Sequence, residues 1–99
     1  MSHRGSILCL PSGIHAWPVV SAAVAGIEDF QRVLEGDRSV KVLIFGTGSR
    51  QVWPAREIRR SFETAGIALE PMDTGAAART YNVLLAERRS VAAALIAVE

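Results

Sequence analysis

The residue types best suited to chemistry fall in two short stretches. The first is Gly46-Thr47-Gly48-Ser49-Arg50-Gln51-Val52-Trp53-Pro54. A glycine-rich turn that leads into a helix directs backbone N–H groups towards one point, and hydroxyls with a guanidinium beside them suit an anion. The run stops short of a nucleotide fingerprint. Gln51 stands where a dinucleotide loop needs its third glycine, and no Gly-Lys-Ser/Thr is present. The plain structural reading is that Gly46 and Gly48 turn the chain tightly while Trp53 packs against the sheet.

The second stretch is Asp73-Thr74-Gly75-Ala76-Ala77-Ala78-Arg79-Thr80-Tyr81-Asn82. Asp73 or Thr74 can cap a helix by accepting a hydrogen bond from one of its first N–H groups. Arg79 and Asn82 stand three apart and project from one helical face. Both stretches follow strand-like runs, so in a parallel sheet they meet at the carboxyl rim, where open α/β sheets hold ligands. Thr47, Gly48, Ser49, Arg50, Thr74, Gly75, Arg79 and Asn82 are therefore the candidate ligand-binding set. The bland alternative is that Arg79 and Asn82 only tie loop carbonyls together.

No catalytic set emerges. Ser49 lacks the G-x-S-x-G elbow. Cys9 sits in an apolar run with no positive neighbour to lower its pKa, which marks it as inert core. A triad of His15, Ser49 and Asp73 is imaginable, but geometry and not composition defines a triad. Two histidines and one cysteine provide no metal-ligand spacing, and neither a metal nor a cofactor is expected. Glu28 and Asp29 suit the positive end of a helix, and Arg56, Arg59 and Arg60 suit a solvated face or a docking patch for an acidic partner.

The elements that must position these residues are punctuated by Gly and Pro. Ser6 to Leu10 is an apolar strand stopped by Pro11-Ser12-Gly13, and Gly13 to Trp17 alternates like the edge strand of a hairpin. Pro18 ends it, and Ala22 to Gly26 is a connection. Ile27, Phe30 and Leu34 mark a short helix ended by Gly36. Val40 to Phe45 is a strand covered on both faces, closed by Gly46. Pro54 suits the first position of a helix with the stripe Ala55, Ile58, Phe62 and Ala65, stopped by Gly66. Ile67 to Met72 is a strand, Gly75 to Glu87 a helix with Ala78, Tyr81 and Leu85 on one face, and Val91 to Val98 a last strand. From Val40 onward this is two consecutive βαβ units, which require right-handed crossovers and a mainly parallel sheet.

Composition bounds the partners. Ninety-nine residues make one domain, 1–99, and with 49% hydrophobic residues it needs neither disulfide nor metal to fold. Eleven basic and ten acidic residues leave a net charge of +1, too little to favour nucleic acid. No run approaches the roughly 20 apolar residues of a membrane span, and no secretory signal pattern opens the chain. The expected location is cytoplasmic.

Gly5-Ser6-Ile7-Leu8, Pro11, Ala16-Trp17-Pro18, Leu43-Ile44-Phe45-Gly46-Thr47-Gly48, Met72-Asp73-Thr74-Gly75-Ala76-Ala77, Arg79-Thr80-Tyr81-Asn82 and Leu84-Leu85-Ala86-Glu87 together resemble an uncharacterised domain family of bacteria and archaea. Its eukaryotic relatives include a mitochondrial respiratory complex I assembly factor and an adipogenesis-associated protein. The resemblance covers essentially the whole chain, and the Asp-Thr-Gly to Tyr-Asn stretch is its specific part. It implies a three-layer α/β domain with three helices around a mixed, mainly parallel five-stranded sheet whose second strand is antiparallel. It implies no enzymatic activity, no cofactor, and protein partners in membrane-complex assembly. Members often carry Cys where Ala78 stands, and usually a further segment before the Gly-Ser of the first strand. The expected function is a non-enzymatic protein-binding or assembly-factor-like module with a small anion pocket at the rim. The alternative is a small hydrolase or ligand-processing enzyme using Thr47, Ser49, Arg50, Arg79 and Asn82.

Overall fold

The computed structural model describes residues 5–36 and 39–98. Strand β1 (Ser6–Leu10) and strand β2 (Gly13–Trp17) form the hairpin, turned by Pro11 and Ser12, with Leu10 opposite Gly13 and Ser6 opposite Trp17. The expected connection holds a 3-10 turn, Ala22–Val24. The expected first helix is a second 3-10 turn, Ile27–Phe30, running into a single α-turn, α1 (Gln31–Leu34). Side chains tighten this segment: the Trp17 indole N–H donates to the Asp29 carbonyl (2.8 Å), and the Asp29 carboxylate accepts from the Gly26 N–H (2.8 Å).

Strand β3 (Val42–Gly46), helix α2 (Arg56–Ala65), strand β4 (Ala68–Met72), helix α3 (Thr74–Ala86) and strand β5 (Val91–Leu95) follow. The sheet order is β2-β1-β5-β3-β4. β3 pairs parallel with both β4 and β5, whereas β1 is antiparallel to β2 and to β5. The second strand is thus antiparallel to its neighbour, and β1 runs against the other four. β4 and β5 flank β3, so two right-handed crossovers must place their helices on opposite faces.

That arrangement makes three layers. On one face Leu43 and Phe45 of β3 meet Phe30, Val33, Ile58 and Phe62; on the other Ile44, Cys9 and Ala93 meet Ala77, Tyr81 and Leu84. Phe30 is the hub of the first layer, edge-on to Trp17 at 5.4 Å, Phe45 at 5.3 Å and Phe62 at 5.5 Å between ring centroids. Strand β5 offers small buried residues to both layers, Ala92 and Ala94 to the first and Ala93 to the second, which lets the flanking elements approach closely.

Three expectations need correction. Pro54 is not the first helical residue: it is buried just before the cap Ala55, and the helix begins at Arg56. An apolar residue in that place anchors the entering chain. Ala55 and Ala65 are exposed, so the buried stripe of α2 narrows to Ile58 and Phe62. On α3 the buried face is Ala77 with Tyr81 and Leu84, while Leu85 is half exposed. With small or apolar residues on several sides, this helix has no single stripe in its sequence, and contact with the sheet selects one.

Candidate functional site

The carboxyl ends of β3, β4 and β5 form one rim, and there the two chemistry-bearing turns converge. Gly48 and Thr74 hold each other reciprocally. The Thr74 N–H donates to the Gly48 carbonyl (2.8 Å), and the Gly48 N–H donates to Thr74 Oγ1 (2.9 Å). The same hydroxyl donates to the Ile96 carbonyl (2.8 Å), so one side chain links the segments leaving β3 and β5 to the start of α3. Two glycines make this possible. Gly48 has φ 110°, which side chains rarely adopt. A Cβ on Gly46 would stand 3.0 Å from Thr74 Cα, Thr74 Oγ1 and Leu95 Cδ2.

Thr47 is equally committed. Its hydroxyl donates to the Arg50 carbonyl (2.6 Å) and accepts from the Val52 N–H (3.0 Å), while its N–H donates to the Met72 carbonyl (2.8 Å). Gln51 Nε2 donates to the Pro71 carbonyl (3.0 Å). Asp73 caps α3 through a carboxylate oxygen accepting from the Ala76 N–H (2.9 Å). Asp73→Ala is therefore expected to cost about 1 kcal/mol, the usual worth of an N-cap, read as a lowered midpoint in thermal unfolding. Asp73→Asn should retain most of the stability.

Thr47, Gly48 and Ser49 line one wall of an open groove of about 590 Å³, and Ser6, Val20, Ser21, Ile96, Ala97 and Val98 contribute to the rest. Ser6 is buried; its hydroxyl donates to the Val19 carbonyl (2.5 Å) and accepts from the Ala97 N–H (3.0 Å). Ser49 is exposed. Arg50, Gly75, Arg79 and Asn82 are exposed and are not among the lining residues. Asn82 lies eight residues beyond Thr74, about 12 Å along the helix at 1.5 Å per residue. The rim thus gathers Thr47, Gly48, Ser49 and Thr74 and leaves Asn82 on the flank of α3, whereas the Arg79 guanidinium reaches back to the helix start, 3.6 Å from where a Cβ on Gly75 would stand. A larger concavity of about 660 Å³ lies at the hairpin end, lined by Leu10, Pro11, Gln31 and Val40 among others, and holds none of the candidate residues.

His15 is not at the rim: its Nε2 lies 3.0 Å from Ser12 Oγ beside the hairpin turn. Cys9 is buried, and desolvation raises its pKa. Burial also raises Tyr81, with a smaller contribution from Cys9. No cluster of three or more His, Cys, Asp or Glu suited to a metal occurs among the described residues. Among them, too, no helix is long and apolar enough to cross a membrane.

Sequence reasoning missed one surface feature. Trp53 does not pack against the sheet; it is 69% exposed, beside a cleft of about 250 Å³ between α2 and β4. Pro54, Phe62, Ile67, Leu69 and Pro71 line that cleft. An exposed tryptophan has no signature in sequence, because the buried Trp17 is equally apolar.

Comparison with known proteins gives this geometry a setting. A family described as proteins of unknown function, DUF498/DUF598, matches residues 1–96. "NADH dehydrogenase [ubiquinone] 1 alpha subcomplex assembly factor 3" of Danio rerio is 35% identical over 92 residues, covering 93% of this chain and 53% of that protein. The chain therefore spans about half the length of that relative. An uncharacterised protein of Rhodobacter capsulatus is 33% identical over 94 residues, covering 95% of this chain and 70% of that one. The crystal structure of a Bartonella henselae protein described as an outer membrane protein superposes with a TM-score of 0.92 at 48% identity, covering 100% of this chain and 83% of that one. By the extent of these matches, the chain belongs to the DUF498/DUF598 family.

Proposed function

We propose that this chain is a non-enzymatic docking module of the assembly-factor type, and that Trp53 with the cleft beside it forms its contact surface. The exposure of Trp53 carries this reading. A large aromatic left 69% exposed next to an apolar cleft is what a binding hot spot needs, a rigid ring and a water-excluding surround. The guanidinium-bearing face of α2, with Arg59 on the cleft itself, provides a polar border. Two further features support docking over catalysis. The hydroxyls of Thr47 and Thr74 are engaged in holding the rim, and the His15 ring lies beside the hairpin turn. The named role of the Danio rerio relative supports machinery that assembles a respiratory membrane complex as the partner class.

Proximity labelling in the native host, comparing the wild-type fusion with Trp53→Ala, tests the reading. The wild type is expected to enrich subunits or assembly proteins of such a complex above the ligase alone. Trp53→Ala is expected to weaken the interaction about thirtyfold or more, the loss a hot-spot tryptophan brings, with folding stability changed by less than about 0.5 kcal/mol. An identical labelled set from both fusions, or none above background, would overturn it.

A further inference from the structure

The two edges of the sheet are treated differently. Successive residues of a strand send their N–H and C=O groups to alternate sides. At β4, Ala68 donates to Lys41 and Met72 accepts from Thr47, so Ala68, Glu70 and Met72 face β3 while Leu69 and Pro71 face outward. That outer edge is blunted: Pro71 has no N–H, and its carbonyl is taken by Gln51. The same reasoning crosses the sheet. Ile96 donates to Gly46 and Ser90 accepts from Val42, so the even-numbered residues of β5 face β3, and Ala93 and Leu95 face β1. Their partners Cys9 and Ile7 therefore bond to β5, which leaves Ser6, Leu8 and Leu10 to bond Trp17, His15 and Gly13. Ile14 and Ala16 consequently point both of their backbone groups away from β1, and among the described residues β2 has β1 as its one neighbour.

Among the described residues, nothing blunts this edge. β2 reads Gly13-Ile14-His15-Ala16-Trp17, without proline or lysine, and Ile14 is 71% exposed. Ile14 pairs with Cys9 and so lies on the α3 face of the sheet, but α3 packs on β3 and β5, reaches the hairpin at Ile7 and Cys9 of β1, and leaves Ile14 exposed. We infer that β2 is a self-association edge, and that a second copy of this chain pairs antiparallel with it about a two-fold axis to give one continuous sheet. In that pairing the N–H groups of Ile14 and Ala16 in each copy find the corresponding carbonyls of the other, and the two Ile14 side chains gain cover. Charge selects the occupant. The strand carries no Asp, Glu, Lys or Arg, so it complements itself, whereas a charged partner segment would meet no counter-charge on it. The whole chain adds a net charge of only +1 per copy, which sets up little repulsion between two copies.

Sedimentation across a micromolar concentration series is the test, with Ile14→Lys, Ala16→Pro and the opposite-edge control Glu70→Lys. Lysine repels its two-fold mate, and proline at 16 deletes an outward donor without touching the ladder to β1. The wild type and Glu70→Lys are expected to shift towards twice the chain mass, and each β2 variant to weaken that shift at least roughly tenfold. In the wild type, hydrogen exchange of the Ile14 and Ala16 amides should slow as concentration rises. A wild type that sediments as a single chain throughout would overturn the inference. So would self-association that leaves the two amides unprotected, or that survives both β2 substitutions in folded protein.

Discussion

Replacing Phe30 with alanine is expected to remove about 3–5 kcal/mol of folding stability, the cost of deleting a large buried ring and leaving its cavity. The side chain is wholly enclosed and sits edge-on to Trp17, Phe45 and Phe62, so the deletion also breaks three aromatic pairs. Each such pair contributes roughly 0.5–1.5 kcal/mol beyond its buried area. Against the roughly 5–15 kcal/mol that holds a typical domain together, this single change brings the chain close to unfolding. Phe30 also follows Asp29, whose carbonyl anchors the Trp17 indole, so the hairpin loses its hold on the helical layer at the same time. Urea unfolding followed by circular dichroism measures the effect, and Phe30→Leu should recover a large part of it. A loss under about 1 kcal/mol, the size of an average substitution, would show that the aromatic hub is not what joins hairpin and helices.

Thr74→Val is expected to cost about 1–3 kcal/mol, and the reason is geometric. Valine has the shape of threonine without its hydroxyl, so the Gly48 N–H and the Ile96 carbonyl each lose a partner in a half-buried place. An unpaired group of that kind costs its full desolvation. For a chain of this length, each kcal/mol lowers the unfolding midpoint by roughly 4–8 °C, and faster amide exchange at Gly48 would localise the damage to the rim. Thr74→Ser keeps the hydroxyl and should stay near the wild type. If valine and serine variants melt alike, the bridge adds nothing to stability and the convergence of the two turns rests on backbone contacts alone.

Much of this was legible in the residues. Ser6–Leu10 announces itself as an apolar run and Gly13–Trp17 by alternation, with the Pro-Ser-Gly turn between them, and Asp73 and Thr74 announce a cap that the structure gives to Asp73. The rim was partly legible, because two turns that follow parallel strands must meet. What each hydroxyl does there was not. Thr47 and Thr74 read as ligand-binding groups in sequence, and only the approach of Gly48 to Thr74 across 26 positions shows them bonding the protein to itself. Trp53 and Leu85 were misread for the same reason: local periodicity cannot say which side of a helix or loop another element will cover.

By itself, the order of residues determined the sequence of elements, the two βαβ units and hence the right-handed crossovers, because strand alternation, capping and Gly/Pro punctuation act over a few neighbours. Only the tertiary structure decided which edge is blunted, which tryptophan is buried and which polar groups are spent. Those outcomes depend on contacts between segments distant in the chain, such as Gln51 reaching Pro71 or Phe30 reaching Trp17. No short-range pattern encodes such a contact, since it forms only once the sheet has brought the two segments within a few ångströms of each other.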